Sequence, residues 1–267
     1  MGNARQRGLG CIFSRHFEES TLPWLIDAEI GHLETNGEVV LVCVLAICGP
    51  LAEVSMNSPS RTVNLAGRQI GCSCHACAFF HTDDQFYKVL LPFIREGFTA
   101  GDRAVHIVDP AKRQHHLEAL SKAGVDSDRT QATRQLEVRR WEEAYLREGS
   151  FDQDAMLALI QEVLQDGRRQ KFPMTRLVAN MEWALEDRPG VRDLVEYESR
   201  LNYILPKYDD TVVCTYDLGK FSASAVMDIL RTHPMVIVGE VMQENPFYTP
   251  PDELLPELAA RRRQRAN

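Results

Sequence analysis

The stretch HACAFFHTDDQFYKVLLPFIREG, residues 75–97, carries two hydrophobic patterns in succession. Its first part, ACAFF at 76–80, is a short apolar run bounded by polar residues, which is typical of a buried strand. Its second part is amphipathic with helical spacing, because apolar residues recur three and four positions apart. Thr82 can cap this helix and Gly97 can end it. The stretch therefore predicts a strand followed directly by a helix.

The same alternation continues along the chain. Further strands are predicted at 103–109, 135–140, 175–183, 211–217 and 234–239. The segments between them have helical periodicity and begin at Asp109 with Pro110, at Asp152, at Pro189 and at Ser222. Strands that alternate with helices favour right-handed crossovers and a largely parallel sheet covered on both faces. We therefore predict a three-layer α/β fold, in one domain from about residue 65 to about residue 250.

Composition narrows the class of protein. The 267 residues are 44% hydrophobic and 25% charged, as in ordinary globular proteins, and the net charge of −8 argues against direct nucleic-acid binding. The seven cysteines are an odd number without framework spacing, which indicates reduced thiols in a cytoplasmic protein. The longest apolar run, VVLVCVLAIC at 39–48, is far shorter than the ~20 residues of a transmembrane helix, so no membrane association is expected.

The two ends of the chain differ from its centre. Residues 1–55 give no clear pair of elements, and MNSPSRTVNLAG at 56–67 resembles a fresh start, so we interpret 1–55 as a poorly ordered extension. The basic run RRRQR at 261–265 is interpreted as part of a solvated tail that covers 251–267.

In an open α/β sheet, ligands bind beyond the carboxyl ends of the strands. This rule selects carboxylates, an imidazole and aromatic side chains, which suit a small organic ligand: His81, Asp109, Glu182, Trp183, Tyr216 and Asp217. A cap at the start of a helix also explains Asp109, and a structural partner or a ligand would equally explain Glu182. His233, before Pro234, either braces the sheet or reaches the crevice if its strand is antiparallel to its neighbours.

Several catalytic and nucleotide-binding motifs are missing from the sequence. The turn after the first strand, HTDDQFY, has neither the glycines nor the lysine of a phosphate-binding loop, and no G-x-G-x-x-G opens a helix. G-x-S-x-G and H-E-x-x-H are also absent. We therefore expect neither nucleotide binding nor any cofactor.

The segment CSCHAC, residues 72–77, contains residue types that bind zinc. Alternating positions of one extended strand point to opposite faces, so Cys72, Cys74, His75 and Cys77 cannot surround one ion, and no metal is predicted. Cys77 is better explained as a small buried hydrophobe. A reactive pair of Cys77 with Cys214 on a neighbouring strand remains an alternative.

Five motifs in order resemble the MEDS family, the methanogen/methylotroph DcmR-type sensory domain. They are the stretch from residue 75 to Asp109, then RLVANMEWAL, LVEYESRLN, VVCTYD and ILRTHPMVIVG, and the likeness covers about residues 63 to 250. The resemblance implies a RecA/KaiC-like fold without a working phosphate loop and a role in sensing small molecules. The polar positions of the family fall on His75, Glu182, Glu198, Tyr216, Asp217 and His233.

We therefore expect a non-catalytic regulatory domain, residues 56–250, that binds a small organic ligand and signals through a transcription or signal-transduction partner. No helix-turn-helix or kinase region accompanies the predicted sensor, so its output is expected from that partner. One alternative is a hydrolase with Glu182 or Asp217 as base and His233 as acid. A second alternative is an interaction scaffold whose crevice is filled by its own side chains.

Overall fold

The computed structural model describes residues 61–71 and 73–266, together with the strands β1 (Ile30–Thr35) and β2 (Glu38–Cys43). The chain divides into two units, Met1–Ser58 and Pro59–Asn267. In the first unit, β1 and β2 pair antiparallel from Ile30 opposite Cys43 to Thr35 opposite Glu38. The prediction of a poorly ordered extension over 1–55 otherwise falls outside the described residues.

The second unit is built on a seven-stranded sheet of order β11-β10-β5-β9-β8-β6-β7. All neighbouring strands in it are parallel except β11, which pairs antiparallel with β10. Its strands are β5 (Cys74–Phe80), β6 (Arg103–Val108), β7 (Leu136–Arg140), β8 (Thr175–Asn180), β9 (Thr211–Asp217), β10 (Met235–Val238) and β11 (Val241–Glu244). Every strand predicted from the sequence is therefore present, within a few residues of its expected bounds.

Helices connect the strands and cover both faces of the sheet. They are α1 (Asp83–Thr99), α2 (Arg113–Lys122), α3 (Ser127–Ala132), α4 (Gln153–Arg169), α5 (Leu194–Leu201), α6 (Ala223–Leu230) and α7 (Pro251–Ala266). The predicted caps form: Thr82 accepts from the Gln85 amide, Asp152 from Ala155 and Ser222 from Ala225.

Each face of the sheet has its own hydrophobic core. One core joins Cys77 and Phe79 of β5 to α4, α5 and α6, and the other joins Ala76, Ala78 and Phe80 to α1 and α2. Side chains of β5 thus alternate between the two faces, as a strand requires. The predicted three-layer α/β fold is confirmed.

A hairpin, a short helix and an edge strand were not predicted within the domain. A hairpin of β3 (Thr62–Leu65) and β4 (Arg68–Gly71) packs Val63 and Leu65 into the core beside α1. The short helix α3 and the edge strand β11 were also missed, because each is too short and too polar to show a clear period.

The expected helix start at Pro189 is wrong. Gly190 has a left-handed backbone with φ of 83°, so the chain turns there, and α5 begins only at Leu194, after a 3₁₀ turn at Val191–Asp193. A Cβ at residue 190 would lie 2.0 Å from the backbone oxygen of Phe151. Glycine is therefore required there by both conformation and space.

The prediction of a solvated basic tail is also wrong, since residues 251–266 form the helix α7. Its arginines bind acidic residues of α6 and of the segment around α5: Arg261 lies 2.9 Å from Asp228, and Arg262 lies 2.7 Å from both Asp193 and Glu196. Two arginines of the run, Arg261 and Arg262, are thus matched to acidic partners, which the charge pattern of the run alone does not reveal. Of the residues described, no helix is long and apolar enough to span a bilayer.

We expect Gly190→Ala to reduce the free energy of unfolding by about 3 kcal/mol or more, since left-handed strain adds to displacement of the Phe151 main chain. Gly124→Ala is the matched control, because Gly124 also has positive φ but a Cβ there would meet no described atom within 4 Å. The control should lose only about 1–2 kcal/mol. Urea unfolding measures both variants, and equal losses would contradict the steric explanation.

Candidate functional site

A pocket opens where β5, β6, β8 and β9 end, at the carboxyl edge of the parallel sheet. Its cavity volume is about 60 Å³. Aromatic and aliphatic side chains such as Phe80, Phe86, Val108 and Val178 line it, together with the charged residues Asp83, Asp109, Lys112, Glu182 and Asp217. An apolar cavity with a few polar groups is the usual form of a small-molecule site.

Three of the residues expected at the site, Glu182, Tyr216 and Asp217, line this pocket. Asp109 lines it too, and its carboxylate accepts from the Ala111 amide at 2.8 Å, so its capping role is real as well. Glu182 is buried and forms an ion pair with Lys220. Glu182 therefore lines the pocket and also has a structural partner, Lys220.

Two ion pairs connect the segments that follow different strands. Asp83, after β5, lies 2.6 Å from Lys112, after β6. Glu182, after β8, pairs with Lys220, after β9, and Lys220 also lies 3.9 Å from Asp217. The hydrogen bond to Glu182 raises the pKa of Lys220, so this ammonium stays charged. Charges of both signs thus border the pocket.

A chain of hydrogen bonds, missed from the sequence, runs into the pocket from its buried side. The Tyr87 hydroxyl lies 3.2 Å from Nδ1 of His116, and Nε2 of His116 lies 2.9 Å from Nδ1 of His106. Burial lowers the pKa of His116 to about 4, and that of His106 well below its usual value. Both imidazoles are therefore neutral at pH 7.

The chain ends on a polar atom without a partner. Nε2 of His106 is buried and makes no hydrogen bond to any residue that the structure describes, although His106 lines the pocket. Buried polar groups are nearly always hydrogen-bonded, so an unpartnered nitrogen in a lining residue is unusual. In the sequence, His106 is the one polar residue in the centre of the apolar run AVHIV, which was the available signal.

A second group of polar side chains lies inside the domain, between the sheet and α5. His75 of β5, Cys214 of β9, Glu198 of α5 and His233 before β10 are all buried and lie close together. The Tyr216 hydroxyl donates to Glu198 at 3.1 Å. Burial raises the pKa of Glu198, but hydrogen bonds to His233 and His75 outweigh it and bring that pKa to about 2. Glu198 is therefore a buried carboxylate.

The structure does not gather all the expected site residues in one crevice. Trp183 is fully buried and stacks on Tyr145, with ring centroids 4.5 Å apart, so it belongs to the core and does not line the pocket. His81 is exposed and is not part of the lining. His233 precedes β10, which runs parallel to β5, so the antiparallel path from His233 to the crevice is ruled out. His75, Glu198 and His233 belong to the interior group.

The cysteine predictions have mixed outcomes. Cys77 and Cys214 are direct neighbours on paired strands, as expected, and both are buried and free. Burial raises the pKa of Cys214 to about 12, which disfavours a reactive thiolate pair. Cys74 packs on the opposite face of the sheet from Cys77, in agreement with the argument that one strand cannot wrap its residues around an ion.

Together, the parallel sheet and the strand-end pocket define an α/β domain with a pocket at the carboxyl edge of its sheet. The family model described as MEDS, "MEthanogen/methylotroph, DcmR Sensory domain", matches residues 74–234, which is more than half of the chain. The chain belongs to this family, as its motifs predicted, and therefore carries a sensory domain.

The chain is also similar to individual proteins. It is 26% identical over 180 residues to the transcriptional repressor DcmR of Methylorubrum extorquens, covering 67% of this chain and 64% of the repressor, slightly less than two thirds of its length. A KaiC-like protein of Pyrococcus horikoshii matches at 18% identity and a TM-score of 0.48, over 67% of this chain and 80% of its own. An uncharacterised protein of the same archaeon, crystallised with an unknown peptide, matches at 14% identity and a TM-score of 0.48, over 61% and 76%.

The low pKa of His116 predicts a pH-dependent stability. The folded protein holds the residue at a pKa of about 4, against 6.5 for an ordinary histidine, so between these values the unfolded chain binds more protons. The contribution of His116 to the free energy of unfolding is complete above pH 6.5 and is lost as the pH falls towards 4. The loss from pH 7 to pH 5 is about 2 kcal/mol.

Urea unfolding at the two pH values should therefore show a weaker pH dependence for His116→Asn than for the wild type. His115→Asn is the control, because His115 is adjacent in sequence but exposed. A His116→Asn variant with the wild-type dependence would contradict the assigned pKa.

Proposed function

We propose that this chain binds a small polar organic molecule in the strand-end pocket and signals its presence to a partner protein. The observation that carries the proposal is that His106, which lines that pocket, has a buried Nε2 without a hydrogen-bond partner among the described residues. A ligand hydroxyl, amine or carbonyl can complete the chain Tyr87–His116–His106. The histidine pair can present either a donor or an acceptor at Nε2, because its protons can shift along the chain.

The size of the cavity limits the ligand. A volume of about 60 Å³ is several times the ~15 Å³ that one water needs and well below the ~150 Å³ that accommodates benzene. The pocket thus favours a molecule of a few non-hydrogen atoms with one polar group. Apolar contact would come from Phe80 and Phe86, and the polar group would face His106.

The ion pairs around the pocket offer a way to pass on the signal. Asp83–Lys112 and Glu182–Lys220 each tie together segments that follow different strands. A ligand that favours one arrangement of these segments shifts the population towards it and alters the surface that they form. The curated relative is a transcriptional repressor, which favours transcription control as the output of the partner system.

The proposed role is non-catalytic. A hydrolase with His233 as acid and Glu182 or Asp217 as base would need these groups around one substrate, but His233 does not line the pocket. The scaffold alternative required a crevice without a cavity beside Glu182, and Glu182 lines one. A cytoplasmic location and independence from nucleotides stay predictions from the sequence.

A thermal-shift screen of small alcohols, halogenated alkanes, methylated amines and nucleotides tests the proposal. A ligand at a hundredfold excess over its Kd should add about 2.7 kcal/mol to stability. Calorimetric titration should then show a Kd about 5- to 150-fold weaker for His106→Gln, since a lost hydrogen bond in a buried site costs about 1–3 kcal/mol.

His81→Gln is the matched control, because His81 is exposed and outside the lining. Its Kd should equal that of the wild type. An unchanged Kd in a folded His106→Gln variant, or stabilisation by nucleotide with magnesium alone, would overturn the proposal.

A further inference from the structure

The interior group of His75, Glu198, Cys214 and His233 has a feature that the ligand pocket does not use. One nitrogen, oxygen or sulfur atom from each side chain lies within 4.8 Å of the corresponding atoms of the other three. The residues come from β5, α5, β9 and the segment before β10, and none is more than 5% exposed. The prediction of no metal was based only on residues 72–77. It could not include these four side chains, because they come from distant parts of the sequence.

Hydrogen bonds fix the orientation of the His75 ring. Its Nδ1 lies 3.0 Å from Oδ1 of Asn202. The amide nitrogen of Asn202 faces the carbonyls of Glu198, Ser199 and Thr232, at 3.2, 3.1 and 2.8 Å, so the assignment of its oxygen is unambiguous. Nδ1 of His75 therefore donates, and in a neutral ring Nε2 presents a lone pair to the group.

The His233 ring is held in the same way. Its Nδ1 lies 3.0 Å from the carbonyl oxygen of Ile229, which can only accept. The nearby Thr232 hydroxyl uses its single hydrogen on that same carbonyl at 2.8 Å, so it too acts as an acceptor towards the ring. On the other side of the ring, Nε2 of His233 lies 3.3 Å from Oε2 of Glu198. Hydrogen bonds through Nδ1, like those of His75 and His233, orient histidines that bind metals through Nε2.

The separations between Oε2 of Glu198 and the other three atoms match those of ligands around one ion, and the separation of Cys214 Sγ from His75 Nε2 is wider. Nε2 of each histidine lies 3.3 Å from Oε2 of Glu198, and Sγ of Cys214 lies 3.6 Å from this oxygen and 3.9 Å from Nε2 of His75. Charge-assisted hydrogen bonds are shorter, at about 2.7–2.9 Å. Tetrahedral zinc, with nitrogen and oxygen at ~2.0–2.1 Å and sulfur at ~2.3 Å, separates its ligand atoms by about 3.3–3.6 Å.

Charge also favours an ion of charge +2. A zinc ion with the Glu198 carboxylate and the Cys214 thiolate has no net charge, which suits a site of full burial. The second oxygen of Glu198 accepts from the Tyr216 hydroxyl at 3.1 Å, which leaves Oε2 for the metal. Two imidazoles and a thiolate select zinc over magnesium or calcium.

We propose that His75, Glu198, Cys214 and His233 form a closed tetrahedral zinc site that joins α5 to the central strands of the sheet. Four protein ligands leave no position for a substrate, so the site is structural. Cys77 is outside the ligand set, although it is adjacent to Cys214 in the sheet.

The full chain, purified without metal-affinity resin, should contain about one zinc per molecule by elemental analysis. The protein stripped with a chelator and refilled with cobalt should show the intense visible bands of a tetrahedral ion and a thiolate-to-cobalt charge-transfer band. A folded wild-type protein that takes up neither zinc nor cobalt would overturn the proposal.

Variants identify the ligands. Cys214→Ser should lose the charge-transfer band and weaken zinc binding by more than about 100-fold, while the matched control Cys77→Ser should keep both. Asn202→Leu, which removes the hydrogen bond to His75 and the Asn202 bonds to three carbonyls but changes no ligand, should weaken zinc binding by about 10- to 100-fold and keep the band. If Cys214→Ser does not fold, the wild-type cobalt spectrum still decides whether a thiolate is bound. A wild-type cobalt spectrum without that band would contradict the assignment. A band that is lost in Cys77→Ser but kept in Cys214→Ser would also contradict it.

Discussion

A carboxylate inside a hydrophobic core has to be compensated, and Glu198 is fully buried in the layer between the sheet and α5. Its partners come from β5, β9 and the start of β10, three strands that are neighbours only because the sheet is parallel and places β5 between the other two. The position of α5 on the sheet, and the register of the central strands beneath it, are thus tied to a single charge.

Most of the fold follows from local pattern. Apolar runs and helical periods located every strand of the main sheet except the edge strand β11, and Thr82, Asp152 and Ser222 cap the helices that they were expected to begin. The errors arise where contacts with distant parts of the chain determine the local structure. Gly190 turns the chain because the Phe151 backbone lies against it, and the arginines of α7 are ordered by acidic residues that are far away in sequence.

The position of the pocket could be predicted from the sequence, but the full set of residues that line it could not. The strand-end rule located Glu182, Tyr216 and Asp217, since it depends only on where strands stop. It could not reject Trp183, whose 3₁₀ segment Glu182–Leu185 directs it into the core between Tyr145 and Phe151. It also could not find His106, which lies within β6, or His116, which reaches the pocket from α2. His75, Glu198 and His233 are among the polar positions of the family motifs, but only the packing of α5 on the sheet shows that they meet one another.

Tyr216 belongs to both polar regions of the domain, as a lining residue of the pocket and as the hydrogen-bond donor to Glu198. It lies one residue from the end of β9. One side chain therefore connects the lining of the pocket to the interior group. Substitution at this position is constrained twice, because phenylalanine lacks the hydroxyl and smaller polar residues lack the reach.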